Sequence, residues 1–319
     1  SYIIVERNDE VGGTWYENVY PGCAVDTPNH AYSFSFGSRY PWSRNFSPRA
    51  EIQDYLESVT DELGIRPTIR FGTMLTKATW DDEASCWQVT LETLTGEEQL
   101  EACAVVSAIG QLSQVSMPVL EGADDYQGNK FHTARWPAGT DLKDKHVAII
   151  GTGASAMQIV PEIVDDVASL SIYQRSAQWV RPIPRYQDAI PEGAQWLLKN
   201  IPLYASWYRF TMLWRYGDGL LPSLRIDPDW PHPERSLNRA NDRHRVDMTN
   251  HMERELDGRP DLFDKCLPTY PPYGKRILLD NSWFKSLRKD NVELITTGID
   301  HFDETGIETS DGQHRAADV

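Results

Sequence analysis

The chain has 319 residues, with 40% hydrophobic and 24% charged, which excludes both a single small module and a disordered polypeptide and suggests two domains at roughly 150 residues each. Its 31 Lys and Arg against 47 Asp and Glu give a formal net charge of −16, a field that repels nucleic-acid backbones and anionic lipid. Cys23, Cys86, Cys103 and Cys266 lack disulfide-framework or zinc spacing, no leader is legible, and the nearest membrane candidate, Ile201 to Leu221, carries Arg209, Arg215 and Asp218, so a cytoplasmic protein without a transmembrane segment is expected.

At the start of the chain, Tyr2-Ile3-Ile4-Val5 followed by Glu6 reads as a buried strand ending in an acid. In a dinucleotide-binding βαβ unit such an acid bonds ribose hydroxyls about 20 residues after a glycine-rich turn, so the chain reads as opening inside a fold. Ala317-Asp318-Val319 reads as the entry to a further strand, and a fragment of a longer protein is expected. Val11-Gly12-Gly13-Thr14-Trp15 follows Glu6. Two glycines permit backbone contact with a planar ligand that Trp15 covers, the alternative being a tight turn beside a core tryptophan. Ser47 as N-cap, Pro48 at the first helical position and Gly64 as stop signal a helix with Ile52, Tyr55, Leu56, Val59 and Leu63 inward. Strands are expected at Thr68 to Phe71, Trp87 to Leu91 and Ala104 to Ile109, the last as a buried parallel strand.

His146 to Gln174 reads as a complete βαβ unit: strand Val147 to Ile150, a turn, a helix from Ala154 to about Val167 kinked by Pro161, and strand Leu170 to Tyr173. The turn Gly151-Thr152-Gly153-Ala154-Ser155-Ala156 is GxGxxA. Its first glycine allows a tight turn, its second lets a pyrophosphate approach the backbone, and its small last residue lets helix and strand pack, with the phosphates on the helix N-terminus. Beyond the second strand stand Gln174-Arg175-Ser176 where an NAD-specific unit has an acid. A cation and a hydroxyl there suit a 2′-phosphate, and hence NADP, rather than a merely solvated arginine.

Gln187 to Leu267 reads as a mostly helical insertion with Trp196, Trp207, Trp214 and Trp230; strands return at Ile277 to Leu279 and Val292 to Ile295, and a hairpin closes the chain. The aromatic stretch Trp196 to Trp214 lines a pocket, touches a membrane surface, or packs helix on helix. None of His30, His146, His232, His244, His251, His301 and His314 forms a metal-like set, so no metal is expected, and His244 and His251 are assigned to a solvated helix face. Two dinucleotide sites, one for NADP, imply electron transfer from nicotinamide to a second cofactor, FAD. The expected fold class is α/β, with two Rossmann-like dinucleotide-binding domains for FAD and NADP and a helical insertion. Residues 1–115 form the FAD domain, 116–186 and 268–305 the NADP domain, 187–267 the insertion, and 306–319 a return to the FAD domain.

Tyr126-Gln127-Gly128-Asn129-Lys130-Phe131-His132-Thr133-Ala134-Arg135-Trp136-Pro137 resembles the Baeyer-Villiger monooxygenase fingerprint FxGxxxHxxxW(P/D), with Tyr126 in place of Phe. The resemblance extends through Gly12 to Trp15, Tyr20 to Asp26, Tyr32 to Phe36, Gln174 to Ser176 and Gly274-Lys275-Arg276. Within the family, Val25 to His30 and Trp230 to Arg235 look most like 4-hydroxyacetophenone monooxygenase. Full members also have an N-terminal FAD glycine motif and a long C-terminal part that this chain lacks.

The resemblance implies cofactors FAD and NADPH, with a ketone and O2 as partners. A hydride reduces the flavin, a C4a-peroxyflavin forms, and its attack on an aryl or alkyl ketone gives an ester or lactone. It places Glu6, Gly13, Thr14, Trp15, Asp26 and Tyr32 at the flavin and the Leu75 backbone at the adenine. Gly151 to Ala156, Gln158, Arg175, Ser176 and Lys275 are placed at NADP, and Arg276, oriented by Asp26, is the active-site cation. Of the fingerprint residues Tyr126, Gly128, His132, Trp136 and Pro137, His132 reads as a hinge or hydrogen-bonding element rather than a proton-transfer group. Alternatives are an N- or S-oxidising flavin monooxygenase, whose fingerprint ends in Phe or Tyr rather than Trp136, and an NADP-binding module without turnover. A disulfide reductase needs a cysteine pair, and Cys23 stands alone.

Overall fold

An apolar run that ends on glycine needs parallel neighbours to satisfy its backbone, and 146–173 supplies them. In the computed structural model, which describes residues 1–36, 40–112, 114–184 and 186–319, strand His146–Ile150 pairs in parallel with Ser169–Tyr173, and that strand pairs in parallel with Val292–Ile295. Helix Ala154–Ile163 makes the crossover with Pro161 in its last turn and ends short of the expected Val167. The α/β class with Rossmann-like organisation is the observed one.

The chain forms two compact units, residues 1–19 with 49–116, and residues 20–48 with 117–319. In the first, Ile4–Val5 pairs in parallel with Ile69–Arg70. Helix Arg49–Glu62 buries Ile52, Tyr55 and Val59 and half-buries Leu56, while Leu63 lies beyond its end and is exposed. Gly64, at φ 64°, is the left-handed stop. Strands Met74–Asp81, Cys86–Thr93 and Gly96–Ala102 form an antiparallel sheet, of which only the middle strand is legible from its apolar residues. Ala104 to Ile109 is not a strand: it has no partner strand among the described residues, and Val106 is 88% exposed.

In the second unit, Val180–Pro182 pairs in parallel with Leu278–Asp280. The expected closing hairpin is a three-stranded meander, Ile299–Phe302, Gly306–Thr309 and His314–Ala316. Tyr126, Tyr173, Ile295, Phe302 and Ile307 pack together beneath it. The insertion is helical at Glu192–Asn200, Tyr204–Tyr216, Leu221–Leu224, Arg239–Glu255 and Pro260–Cys266. Neither of its first two helices buries a residue, and Trp196, Trp207 and Trp214 are each more than half exposed. Trp207 and Trp214 flank Phe210 on their own helix, with ring centroids 5.5 and 6.1 Å from it. Among the described residues no helix is long and apolar enough to cross a membrane.

Candidate functional site

In the first unit the loop after strand Ile4–Val5 is fastened to helix Arg49–Glu62. Gly12 and Gly13 have φ of 122° and 52°, values that favour glycine. A Cβ on Gly12 would run into the Gln53 side chain, whose Nε2 donates to Val11 O at 2.7 Å. Arg49 donates through Nε to Trp15 O and through Nη2 to Tyr16 O at 3.0 Å. Gly12 is thus a packing glycine and Trp15 is buried, whereas a Cβ on Gly13 would meet nothing within 4 Å and Thr14 is exposed. The Glu6 carboxylate accepts from Asn8 N at 2.8 Å through Oε1. Leu75 is 41% exposed, which removes core packing as the reason for it.

In the second unit Gly151, at φ 103°, turns the chain out of strand His146–Ile150, and its N–H donates to Tyr173 O at 2.9 Å. Gly153 precedes the first helical residue and faces open space, while Ala156 is buried. The turn has the access and the close packing that a pyrophosphate at a helix N-terminus requires. At the end of strand Ser169–Tyr173, Arg175 is exposed and Lys275 Nζ donates to Ser176 Oγ at 2.6 Å. Gln174, by contrast, is buried and donates to Lys265 O at 2.7 Å.

Arg276 Nη2 donates to Asp26 Oδ1 at 2.7 Å and to Oδ2 at 2.6 Å. The carboxylate is 19% exposed and the guanidinium side chain 60%, so the cation is tethered yet open to a ligand. Asp26 is carried by a loop that Gln158 holds. Tyr20 Oη donates to Gln158 Oε1 at 2.9 Å, and Gln158 Nε2 donates to Ala24 O at 2.8 Å. Gly22, at φ 75°, sits where a Cβ would strike the Gln158 carbonyl. Tyr186 Oη donates to Val25 O at 3.0 Å, and burial, with Asp26 nearby, pushes its phenol up to about 12. Gln158, buried and engaged in this way, ties the GxGxxA helix to the Asp26 loop. Tyr20 and Tyr186 were not legible as site residues, because no spacing links them to the helix. Tyr32 is 44% exposed rather than packed in the core, and Arg209 Nη1 holds its neighbours through His30 O at 2.8 Å and Ser33 Oγ at 3.0 Å.

The fingerprint builds structure. Tyr126 is buried against Phe302, donates to Ala317 O at 3.1 Å, and would clash with any side chain at Gly128. His132 Nδ1 accepts from Ala134 N at 3.1 Å and so caps the short turn Thr133–Arg135. Trp136 meets Phe131 edge to face, and Pro137 O accepts from Thr140. The expected solvated face for His244 and His251 is corrected. His251 is buried with Nε2 2.6 Å from Asp280 Oδ2, and His244 Nδ1 lies 2.8 Å from Tyr273 Oη. Burial, then the Arg181 charge, holds His244 below the ordinary histidine range, with Asp247 opposing. Asp300, His301 and Glu308 bring three donor atoms within 4.8 Å of one another, a cross-strand grouping invisible to spacing along the chain.

A family model described as flavin-binding monooxygenase-like matches residues 3–191. An uncharacterized monooxygenase of Sinorhizobium fredii is 42% identical over 320 residues, covering 100% of this chain and 48% of that protein. A Baeyer-Villiger monooxygenase of Streptomyces coelicolor is 37% identical, covering 100% and 58%. Among solved structures, open cyclohexanone monooxygenase matches with a TM-score of 0.83 at 26% identity over 99% of this chain and 66% of that one. Oxidized steroid monooxygenase bound to NADP matches at 0.80 and 29% identity, over 99% and 65%. The chain spans about half the length of the curated relatives it matches. The expected likeness to 4-hydroxyacetophenone monooxygenase in particular is corrected: the chain is matched throughout its own length by Baeyer-Villiger and cyclohexanone monooxygenases.

Proposed function

Because this chain belongs to the flavin-binding monooxygenase-like family, we propose that it acts as an NADPH- and FAD-dependent Baeyer-Villiger monooxygenase, which uses O2 to insert one oxygen atom beside the carbonyl of an aryl or alkyl ketone. The observation that carries this reading is the Arg276 guanidinium tethered to Asp26 in the same unit as an open GxGxxA turn. When bound, NADPH supplies a hydride and FAD the ring that activates oxygen.

The chain's own residues supply binding and charge. The N-terminus of helix Ala154–Ile163, with Gly151 to Ala156, takes the pyrophosphate, since a Cβ at Gly153 would meet nothing within 4 Å. Arg175, Ser176 and Lys275 take the 2′-phosphate, the lysine and the hydroxyl being already in contact. Gln158 fastens the Asp26 loop to that helix. Arg276 is a positive charge placed where negative charge develops on oxygen, and Asp26 keeps it from moving with solvent. Glu6, Gly13, Thr14, Trp15, Leu75, Asp26 and Tyr32 are assigned to FAD. Gly13 is accessible, as are Thr14, Leu75 and Tyr32, while Trp15 contributes from a buried position. Location in the cytoplasm is supported by the free cysteines Cys23, Cys86, Cys103 and Cys266.

The test is to supply the protein with FAD, NADPH, oxygen and cyclohexanone and to measure lactone by mass spectrometry. Lactone is expected, and Arg276→Ala is expected to lower its rate by about 100- to 1000-fold with NADPH affinity unchanged. Lactone formation that survives Arg276→Ala removes this residue from the mechanism. Oxidation of a sulfide or amine without any lactone assigns the chain to heteroatom chemistry instead.

A further inference from the structure

The loop that presents Lys275 and Arg276 is gripped by side chains for which the roles above have no use. Tyr273 has φ 68°, a left-handed conformation that is a true outlier for a bulky residue. Its hydroxyl accepts from Arg181 Nη2 at 3.2 Å and lies 2.8 Å from His244 Nδ1. Arg181 comes from strand Val180–Pro182 and His244 from helix Arg239–Glu255 of the insertion. From the same helix, Asn241 Nδ2 donates to Pro272 O at 3.0 Å. On the opposite side Trp179 Nε1 donates to Tyr270 O at 2.8 Å, and Tyr270 Oη donates to Ala177 O at 3.0 Å. The loop ends in Lys275 Nζ, 5.0 Å over the Tyr270 ring and in contact with Ser176 Oγ.

A lysine on a four-carbon stem discriminates between ligands only if its backbone is fixed, because otherwise ordering it offsets the ion pair. We infer that Tyr273, clamped by Arg181 and His244, is a positioning residue for 2′-phosphate recognition, and that the helical insertion thereby sets the dinucleotide preference of the site. The inference rests on the proposed NADPH site and adds to it residues to which that reading gives no direct contact with the dinucleotide.

Isothermal titration of the protein with adenosine 2′,5′-bisphosphate and with adenosine 5′-monophosphate tests it. The unaltered protein is expected to prefer the bisphosphate by about tenfold or more. Tyr273→Phe keeps the ring and removes the hydroxyl, and is expected to cut that preference about three- to tenfold while leaving monophosphate affinity in place. His244→Leu, which breaks the same clamp from the other side, is expected to do likewise. An unchanged preference in both variants overturns the inference. So does an equal loss for both ligands, which is the signature of a merely loosened fold. If the unaltered protein has no preference, the NADPH reading itself fails and takes this inference with it.

Discussion

Gly12 and Gly153 stand in glycine loops that look alike in sequence, and the two use the missing side chain for different physical ends. At Gly12 the missing Cβ makes room for Gln53, so the glycine buys packing. At Gly153, with ordinary negative φ, a Cβ would meet nothing, so the missing side chain leaves an approach for a ligand. The acids and cations beyond the strands differ in the same sense. Glu6 bonds its own loop through Asn8 N, whereas Arg175 is exposed beside a lysine–serine contact. A glycine motif is therefore evidence of binding only when the space over it is open.

Acid is expected to distinguish the two units most strongly. The second unit contains His30, buried, with its pKa pushed down to about 4 by burial and then by Arg209; the first unit has no histidine. Folded His30 binds fewer protons than unfolded histidine between pH 4 and 6.5. Its contribution is thus full above pH about 6.5 and is lost as pH falls toward 4, roughly 3 kcal/mol in all. Urea unfolding across that range should show the decline, and His30→Phe, which keeps a ring beside Tyr208, should flatten it; a slope unchanged in His30→Phe assigns the acid sensitivity elsewhere. Next in size, Gly12→Ala should destabilise the protein by about 2 kcal/mol without altering NADPH affinity. Gly153→Ala should do the reverse: a melting curve within about 0.5 kcal/mol of the parent and NADPH binding weakened about tenfold. Equal stability losses at the two glycines would erase the distinction.

Much of the second unit was legible because its signals are local. Strands 147–150 and 292–295 are apolar runs bounded by glycine or by loops, and the GxGxxA turn follows the first of them by its glycine spacing. Other elements depend on neighbours that no window along the chain contains. Ala104 to Ile109 has a strand's composition and no strand to pair with, while Met74–Asp81 and Gly96–Ala102 lack an apolar stripe because most of their side chains face water. His244 and His251 belong to a helix so polar that a solvated face is the natural reading, yet Tyr273 and Asp280 turn them inward. In the site, Arg276 and Asp26 were legible through family resemblance. The Gln158 clamp joins residues 138 and 134 positions apart and the Tyr273 clamp residues 92 and 29 apart, and neither leaves a mark in spacing.

Hydrogen–deuterium exchange of the protein with and without NADPH tests the central claim most directly. Exchange is expected to slow at Gly151 to Ala156, at Arg175 and Ser176, and at Lys275 and Arg276, with NADH protecting the last two pairs less. Protection at Val11 to Trp15 with none at Gly151 to Ala156 would contradict it.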